Sequence, residues 1–302
     1  MLKIRRGACA AFIAATVALS AAPTAAAQSS ISSLSSKSNA AQMSSQLGDF
    51  LTAFGKIDLD NRSVTVDGVK RPYTLVLPKN YNPMRADPVI LGFGGWQHDA
   101  ARTRSYEKLE DAAGSRAIVI YPQAINNAWG GAPYAQTSVD TDIRYIRALL
   151  NHVASQHNID RSSVYATGLS NGGGMAAALG CHAPDLVAGV ASVAGAYYNP
   201  TVTKCARGKV PTLIMHADND DVVKYHGGTR HGAAYRSVPS VFYDTGRRNG
   251  CNMNKVSPRR VGPSTIYTPA GCSQRTELEK IAGGGHTWFR SATDRTVKFF
   301  LG

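Results

Sequence analysis

Five residues, Gly168-Leu169-Ser170-Asn171-Gly172, constrain this chain more than any other feature. They follow the run Ser163-Val164-Tyr165-Ala166-Thr167 and lead into the small-residue segment Met175-Ala176-Ala177-Ala178-Leu179. A strand, a sharp turn and a helix are therefore expected in succession. Such a turn lifts a serine Oγ clear of a sheet, and the flanking glycines remove Cβ atoms that would collide there. Small residues around a serine can equally be ordinary packing, so the reading depends on what lies downstream.

A serine nucleophile on an α/β-hydrolase sheet needs an acid and then a histidine, each near the end of a later strand. The apolar run at 210–215 reads as a buried parallel strand. It opens into His216-Ala217-Asp218-Asn219-Asp220-Asp221, a loop crowded with carboxylates. The acid is expected there, and spacing leaves Asp218, Asp220 and Asp221 open. Further on, the segment 277–281 ends in Gly283-Gly284-Gly285-His286-Thr287-Trp288, which sets His286 on an uncrowded backbone as the candidate base. His286 would take the Ser170 proton, and the acid would fix its tautomer and stabilise the imidazolium.

Strands alternate with helices around these motifs. A hairpin is expected from 63–66 and 71–77 across the Asp67-Gly68 turn signal. Strand 88–91, a helix near 103–113, strand 117–121, a helix near 140–157 and strand 163–167 follow. Further buried strands at 187–193 and 210–215 and a closing helix at 292–301 complete the α/β class, a mostly parallel sheet with helices on both faces.

Three stretches together, Gly168-Leu169-Ser170-Asn171-Gly172-Gly173, the loop from His216 to Tyr225, and Gly284-Gly285-His286-Thr287-Trp288, resemble the secreted polyhydroxybutyrate depolymerase and feruloyl esterase group of α/β-hydrolases. The resemblance spans residues 64–301. The family's loop pattern H-G-x-x-D-x-x-V-P-Y lands on 216–225, which assigns the acid to Asp220. Its oxyanion loop, L-H-G-x-x-Q, matches Gly92-Phe93-Gly94-Gly95-Trp96-Gln97. The implied oxyanion donors are the backbone N–H groups of Asn171 and of Gly95, with Trp96 as the neighbouring alternative. Phe93 stands where the family has histidine, Lys224 where it has proline, and Phe289 where proline often follows the tryptophan. These departures bear on the acyl pocket and leave the triad intact. The resemblance implies a secreted serine esterase that hydrolyses a polyhydroxyalkanoate-type polyester or a feruloyl or acetyl ester through an acyl-enzyme on Ser170. An acyltransferase of the cell envelope using the same triad and a non-catalytic envelope-binding protein are the alternatives, and no cofactor is expected. Trp96, Trp129 and Trp288 fall in or beside loops that follow strands, where ligands bind in open α/β sheets. They are candidates for gripping the substrate or, equally, for core packing.

Lys3, Arg5 and Arg6, an apolar run at 8–22 and Ala25-Ala26-Ala27 before Gln28 read as a signal peptide over 1–27. The apolar run falls short of the ~20 residues a membrane span requires. A secreted chain is expected, with a Ser-rich, partly helical N-terminal segment at 28–60 and one catalytic domain at 61–302. Losing the three leader cations lowers the formal net charge from +13 to +10. That surface suits an anionic cell-envelope polymer or, equally, serves as a solubilising charge with no partner. The cations lack the aromatic interleaving of a nucleic-acid module. Removal of Cys9 leaves Cys181, Cys205, Cys251 and Cys272. Secretion favours disulfides, and the family resemblance implies Cys181 with Cys205 and Cys251 with Cys272. No metal is expected, because the spacing is not that of a metal site.

Overall fold

A computed structural model describes the backbone from Ile57 to Gly302 and the side chains from Arg62 onward. The expected signal peptide and nearly all of the Ser-rich segment lie outside the described residues. Asp67 and Gly68 both adopt positive φ, 51° and 77°, the two-residue turn whose twist suits a pair of right-handed strands. It joins β1 (Ile57–Val66) to β2 (Val69–Val76) as an antiparallel hairpin with Val66 opposite Val69. β1 starts ahead of residue 61, inside the stretch expected to precede the catalytic domain.

Strands and helices then alternate: β3 (Asp87–Phe93), α1 (Ala100–Glu107), α2 (Leu109–Ala113), β4 (Ile118–Pro122), α3 (Val139–Ala154), β5 (Ile159–Leu169), α4 (Asn171–His182), β6 (Gly189–Val193), α5 (Asn199–Val202) and β7 (Thr212–Ala217). A two-stranded hairpin, β8 (Gly228–Arg230) and β9 (Ala233–Tyr235), precedes α6 (Val238–Arg248). β10 (Asn252–Val261), β11 (Ser264–Ala270), β12 (Thr276–Ile281) and α7 (Ala292–Leu301) end the chain. The single helix expected near 103–113 is instead two, because Lys108 takes a left-handed conformation (φ 45°, ψ 43°) and its N–H closes α1 on the Arg104 carbonyl.

The main sheet runs β1-β2-β4-β3-β5-β6-β7-β12-β11-β10. Its centre, β4 to β12, is parallel, and both flanks are antiparallel. β4, β6 and β7 are buried along their whole length, as expected for parallel strands covered on both faces. Ile143, Ile146 and Leu149 of α3 and Met175 and Leu179 of α4 pack in one core cluster. Leu109 and Ala113 of α2 and Val297 and Phe300 of α7 pack in the other. Among the described residues no helix is long and apolar enough to cross a membrane.

Strand order reverses at β3: the chain moves from β3 to β4 on one side, then returns to β5 on the other. Ligands bind outside the carboxyl ends of strands at such a switch point. The loops after β3 and β5, at Gly94 and Ser170, meet there.

Candidate active site

Ser170 sits between β5 and α4 with φ 57° and ψ −116°, a conformation that costs a non-glycine residue about 1–3 kcal/mol. Three backbone bonds hold it, from its own N–H to Val193 O and from Gly174 and Ala196 N–H to its carbonyl, each 2.9 Å. The flanking glycines are sterically required. A Cβ on Gly168 would lie 2.5 Å from Phe93 O, and one on Gly172 would collide with that same carbonyl oxygen. The turn is thus wedged against the end of β3. Asn171 opens α4, so its N–H has no intrahelical acceptor. Its buried side chain exchanges two hydrogen bonds with the Trp129 backbone, at 2.7 and 3.1 Å.

After β7 the three open carboxylates separate. Asp220 is buried, and its Oδ2 lies 2.7 Å from His286 Nδ1. Its Oδ1 accepts from the N–H groups of Val222 and Val223 at 2.9 and 2.8 Å. Asp218 accepts from Gly283 N–H at 3.0 Å, and Asn219 from Gly285 N–H at 2.8 Å, so both hold the loop that carries His286. Asp221 is exposed. Burial alone would push the Asp220 carboxyl up. Hydrogen bonds from His216 and His286, the His286 charge and the Val223 N–H outweigh it and hold the group well below the usual carboxylate range.

His216 was not among the sequence candidates for the site. It is fully buried on β7, with Nε2 3.2 Å from Asp220 Oδ2 and 2.8 Å from Val223 O. It thereby braces the same carboxylate oxygen that His286 contacts. The only sequence signal for it is its place at the head of the 216–225 loop pattern.

The loop after β3 carries Gly95 and Trp96. Gly95 N–H points to the Tyr106 hydroxyl at 3.4 Å, at the long end for a hydrogen bond. Tyr106 Oη is also 3.3 Å from His98 Nδ1. Burial, then the Arg102 charge, push His98 down against the pull of Asp99, and the His286 charge adds to the effect. The β3 loop and the histidine loop therefore share one electrostatic environment.

The three tryptophans differ. Trp96 is half-buried and stacks on Tyr134 with centroids 4.4 Å apart, while the exposed His231, at the tip of the β8–β9 hairpin, meets both rings edge-on at 5.0 Å. Trp129 is only 2% exposed. It packs edge-on against Phe93 and donates from Nε1 to Gly94 O at 3.1 Å. Of the two readings open for it, substrate contact and core packing, its burial and its bond to Gly94 O support core packing beneath the β3 loop, in place of a substrate contact. Trp288 is half-buried against the core, with Nε1 donating to Thr293 Oγ1 at 3.0 Å. The structure pairs Cys181–Cys205 and Cys251–Cys272.

Residues 106–232 match the dienelactone hydrolase family. A probable feruloyl esterase C of Aspergillus niger is 31% identical over 249 residues, spanning 76% of this chain and 84% of that protein. A putative esterase of Nocardia uniformis is 27% identical over 256 residues, 75% of this chain and 73% of the relative. The acetyl xylan esterase of Aspergillus awamori shares the fold, with a TM-score of 0.59 at 15% identity over 79% of this chain and 98% of that one. On the strength of these sequence relatives and this sheet, the chain belongs to the α/β-hydrolase esterase family and is a carboxylic ester hydrolase.

Proposed function

We propose that Ser170, His286 and Asp220 form a catalytic triad that cleaves the ester through an acyl-enzyme. The observation that carries this reading is the 2.7 Å contact of the buried Asp220 with His286 Nδ1, in a loop on the same carboxyl edge of the sheet as the strained Ser170. With Asp220 ionised, Nδ1 of His286 is the donor and Nε2 is left as the basic nitrogen. That nitrogen takes the Ser170 hydroxyl proton as Oγ attacks the ester carbonyl, then returns it to the departing alkoxide. Water repeats the sequence on the acyl-serine, releasing the acid and restoring Ser170. The developing oxyanion is met by the Asn171 N–H at the start of α4 and by the Gly95 N–H, which exchanges its long bond to Tyr106 for a shorter one. Each such donor contributes on the order of 10²–10³ in rate.

The stack of Trp96 on Tyr134, with His231 edge-on, favours a flat acyl or sugar group. A feruloyl or acetyl ester of a polysaccharide fits that platform better than an aliphatic polyester. We place the protein outside the cell, after cleavage of residues 1–27, with 61–302 as the catalytic domain; the two disulfides support an oxidising compartment. Lys255, Arg259 and Arg260, exposed on the edge strand β10, suit an anionic wall polymer, and their replacement by Gln should weaken retention on immobilised polygalacturonate.

The decisive experiment compares Ser170→Ala with the parent enzyme using a fluorophosphonate probe, methyl ferulate, aryl acetates and polyhydroxybutyrate. Loss of labelling and of all turnover is expected, with methyl ferulate and acetates preferred by the parent. Undiminished turnover in Ser170→Ala would sink the mechanism, and faster release from the polyester would overturn the substrate assignment.

A further inference from the structure

Parallel crossovers usually carry a connection of a dozen or more residues, most of it helix. Between β6 and β7 the only helix is α5, four residues long. The sheet face between α4 and α6 is therefore incompletely covered, and a cavity of about 340 Å³ opens there. That volume lies within the range of small-molecule sites. Val190 and Ile214 of the sheet, Ala177 of α4, Val241 of α6 and Val202 of the connector give it apolar walls. The Cys181–Cys205 disulfide also lines it and ties the connector to α4. None of Ser170, Asp220 or His286 does.

The polar lining is unbalanced. Lys204, Arg236 and Arg248 face a single carboxylate, Asp244, and Arg236 already pairs with it at 2.7 Å. Arg248 is left over. Its Nε is buried without a hydrogen-bond partner, and burial pushes its guanidinium down from the ordinary value with no carboxylate to offset the effect. A guanidinium stays charged in proteins, and its planar fork matches a carboxylate. Arg248 is half-buried, and a partly desolvated charge with no partner beside apolar walls favours an anion of matching shape there. Lys204, exposed beside the opening, adds a second positive charge.

We propose that this cavity binds a small carboxylate with a compact apolar or aromatic body, its anionic end on Arg248 and its body against Val190, Ile214 and Val241. A bare inorganic anion would leave the apolar walls unused, and a neutral alcohol would leave Arg248 unpaired. The site stands independently of the role given to Ser170, although the acids released by ester cleavage belong to its ligand class.

Calorimetric titration of the disulfide-intact chain with octanoate, trans-cinnamate, octan-1-ol and inorganic phosphate tests the proposal. Octanoate or cinnamate is expected to saturate one site at or below the millimolar range. Octan-1-ol and phosphate should each bind at least about tenfold more weakly, the loss of one charge-assisted contact or of the apolar burial. Arg248→Met should weaken the carboxylate by about tenfold or more, and Arg248→Lys should recover part of that. Val241→Phe, which fills the cavity, should abolish binding while circular dichroism reports an intact fold. Absence of saturable carboxylate binding would overturn the proposal. So would equal affinity for the alcohol or for phosphate, or carboxylate affinity unchanged in Arg248→Met; that last result does not depend on whether Val241→Phe folds.

Discussion

Arg71 on β2 and Asp142 on α3 form an ion pair at 2.8 Å, with side chains 3% and 0% exposed. Arg71 also lies over the Tyr145 ring, 3.8 Å from its centroid. The second carboxylate oxygen accepts from Gly130 N–H at 2.7 Å and from Thr137 Oγ1 at 2.8 Å. Asp142→Asn keeps the volume of the side chain but strands a buried guanidinium. Removing one partner of such a pair costs about 3–5 kcal/mol. For a folded unit of this size that is a fall of roughly 6–20 °C in Tm. The damage should also reach the site, because Trp129, next to Gly130, is the backbone partner of the Asn171 side chain beside Ser170. Urea unfolding and ester turnover of Asp142→Asn, Arg71→Met and the double variant provide the assay. The double variant should be less destabilised than the sum of the singles, since neither charge is then left alone, with a coupling of about 0.5–3 kcal/mol. Single variants costing under about 1 kcal/mol, or strict additivity, would mean that the pair behaves like a solvated one and that the reasoning is wrong.

Other consequences are as concrete. Asp220→Asn should lower kcat by about 10⁴ through loss of tautomer control at His286, whereas Asp218→Asn and Asp221→Asn should leave kcat within a small factor; a large kcat loss in Asp221→Asn and none in Asp220→Asn would reverse the assignment. Glu107 is fully buried with both carboxylate oxygens unpartnered, and burial, followed by the Glu110 charge, raises its pKa well above the usual range. The folded state therefore keeps a proton that the unfolded chain has released above a pH of about 4.3, and stability falls with rising pH at up to about 1.4 kcal/mol per unit; Glu107→Gln should remove that slope in urea melts from pH 4.5 to 8, and parallel curves would count against it. Reduction of Cys181–Cys205 and Cys251–Cys272, which close sequence separations of 24 and 21, should cost up to about 3 kcal/mol each by the chain-entropy estimate, while kcat measured on the folded fraction stays unchanged.

What could be read in the sequence followed from local sterics. Gly168 and Gly172 are spaced as they are because β3 passes within contact of both, and Asp67-Gly68 is written for a turn with two positive φ angles. The buried strands carry apolar runs because both faces are covered. Other features depend on distant partners. Asp218, Asp220 and Asp221 are chemically alike in the chain; the bonds from Val222 and Val223 N–H that orient Asp220 exist only once the loop is folded. Trp129 looks like any loop aromatic until α3 and β3 close around it. Lys108 breaks the helix without a glycine or proline to announce it. β10 shows no alternation because, as the outermost strand, it is mostly exposed along its length, and its Lys255, Pro258, Arg259 and Arg260 are residues that protect an edge from pairing with another chain.

The positions of the rigid and adaptable parts follow from the direction of the chain. Helices in a parallel α/β sheet run opposite to the strands they connect, so α4 begins at the carboxyl edge with Ser170 as its cap and ends at the amino edge with Cys181 in its last turn. Cys205 lies in the connector that leads into the start of β7. Cys251 follows the end of α6, and Cys272 precedes the start of β12. Both disulfides therefore staple the edge opposite Ser170. At the edge of Ser170 the constraints are noncovalent: the wedge of Phe93 against Gly172, the Asn171 amide on Trp129, and the contacts of Asp220 with His216 and His286. The covalent links hold the ends of the strands that carry these loops. A fold with the staples at the carboxyl edge would gain the same loop-closure entropy. It would also fix the loop of Gly95, whose N–H is proposed above to leave Tyr106 for the oxyanion.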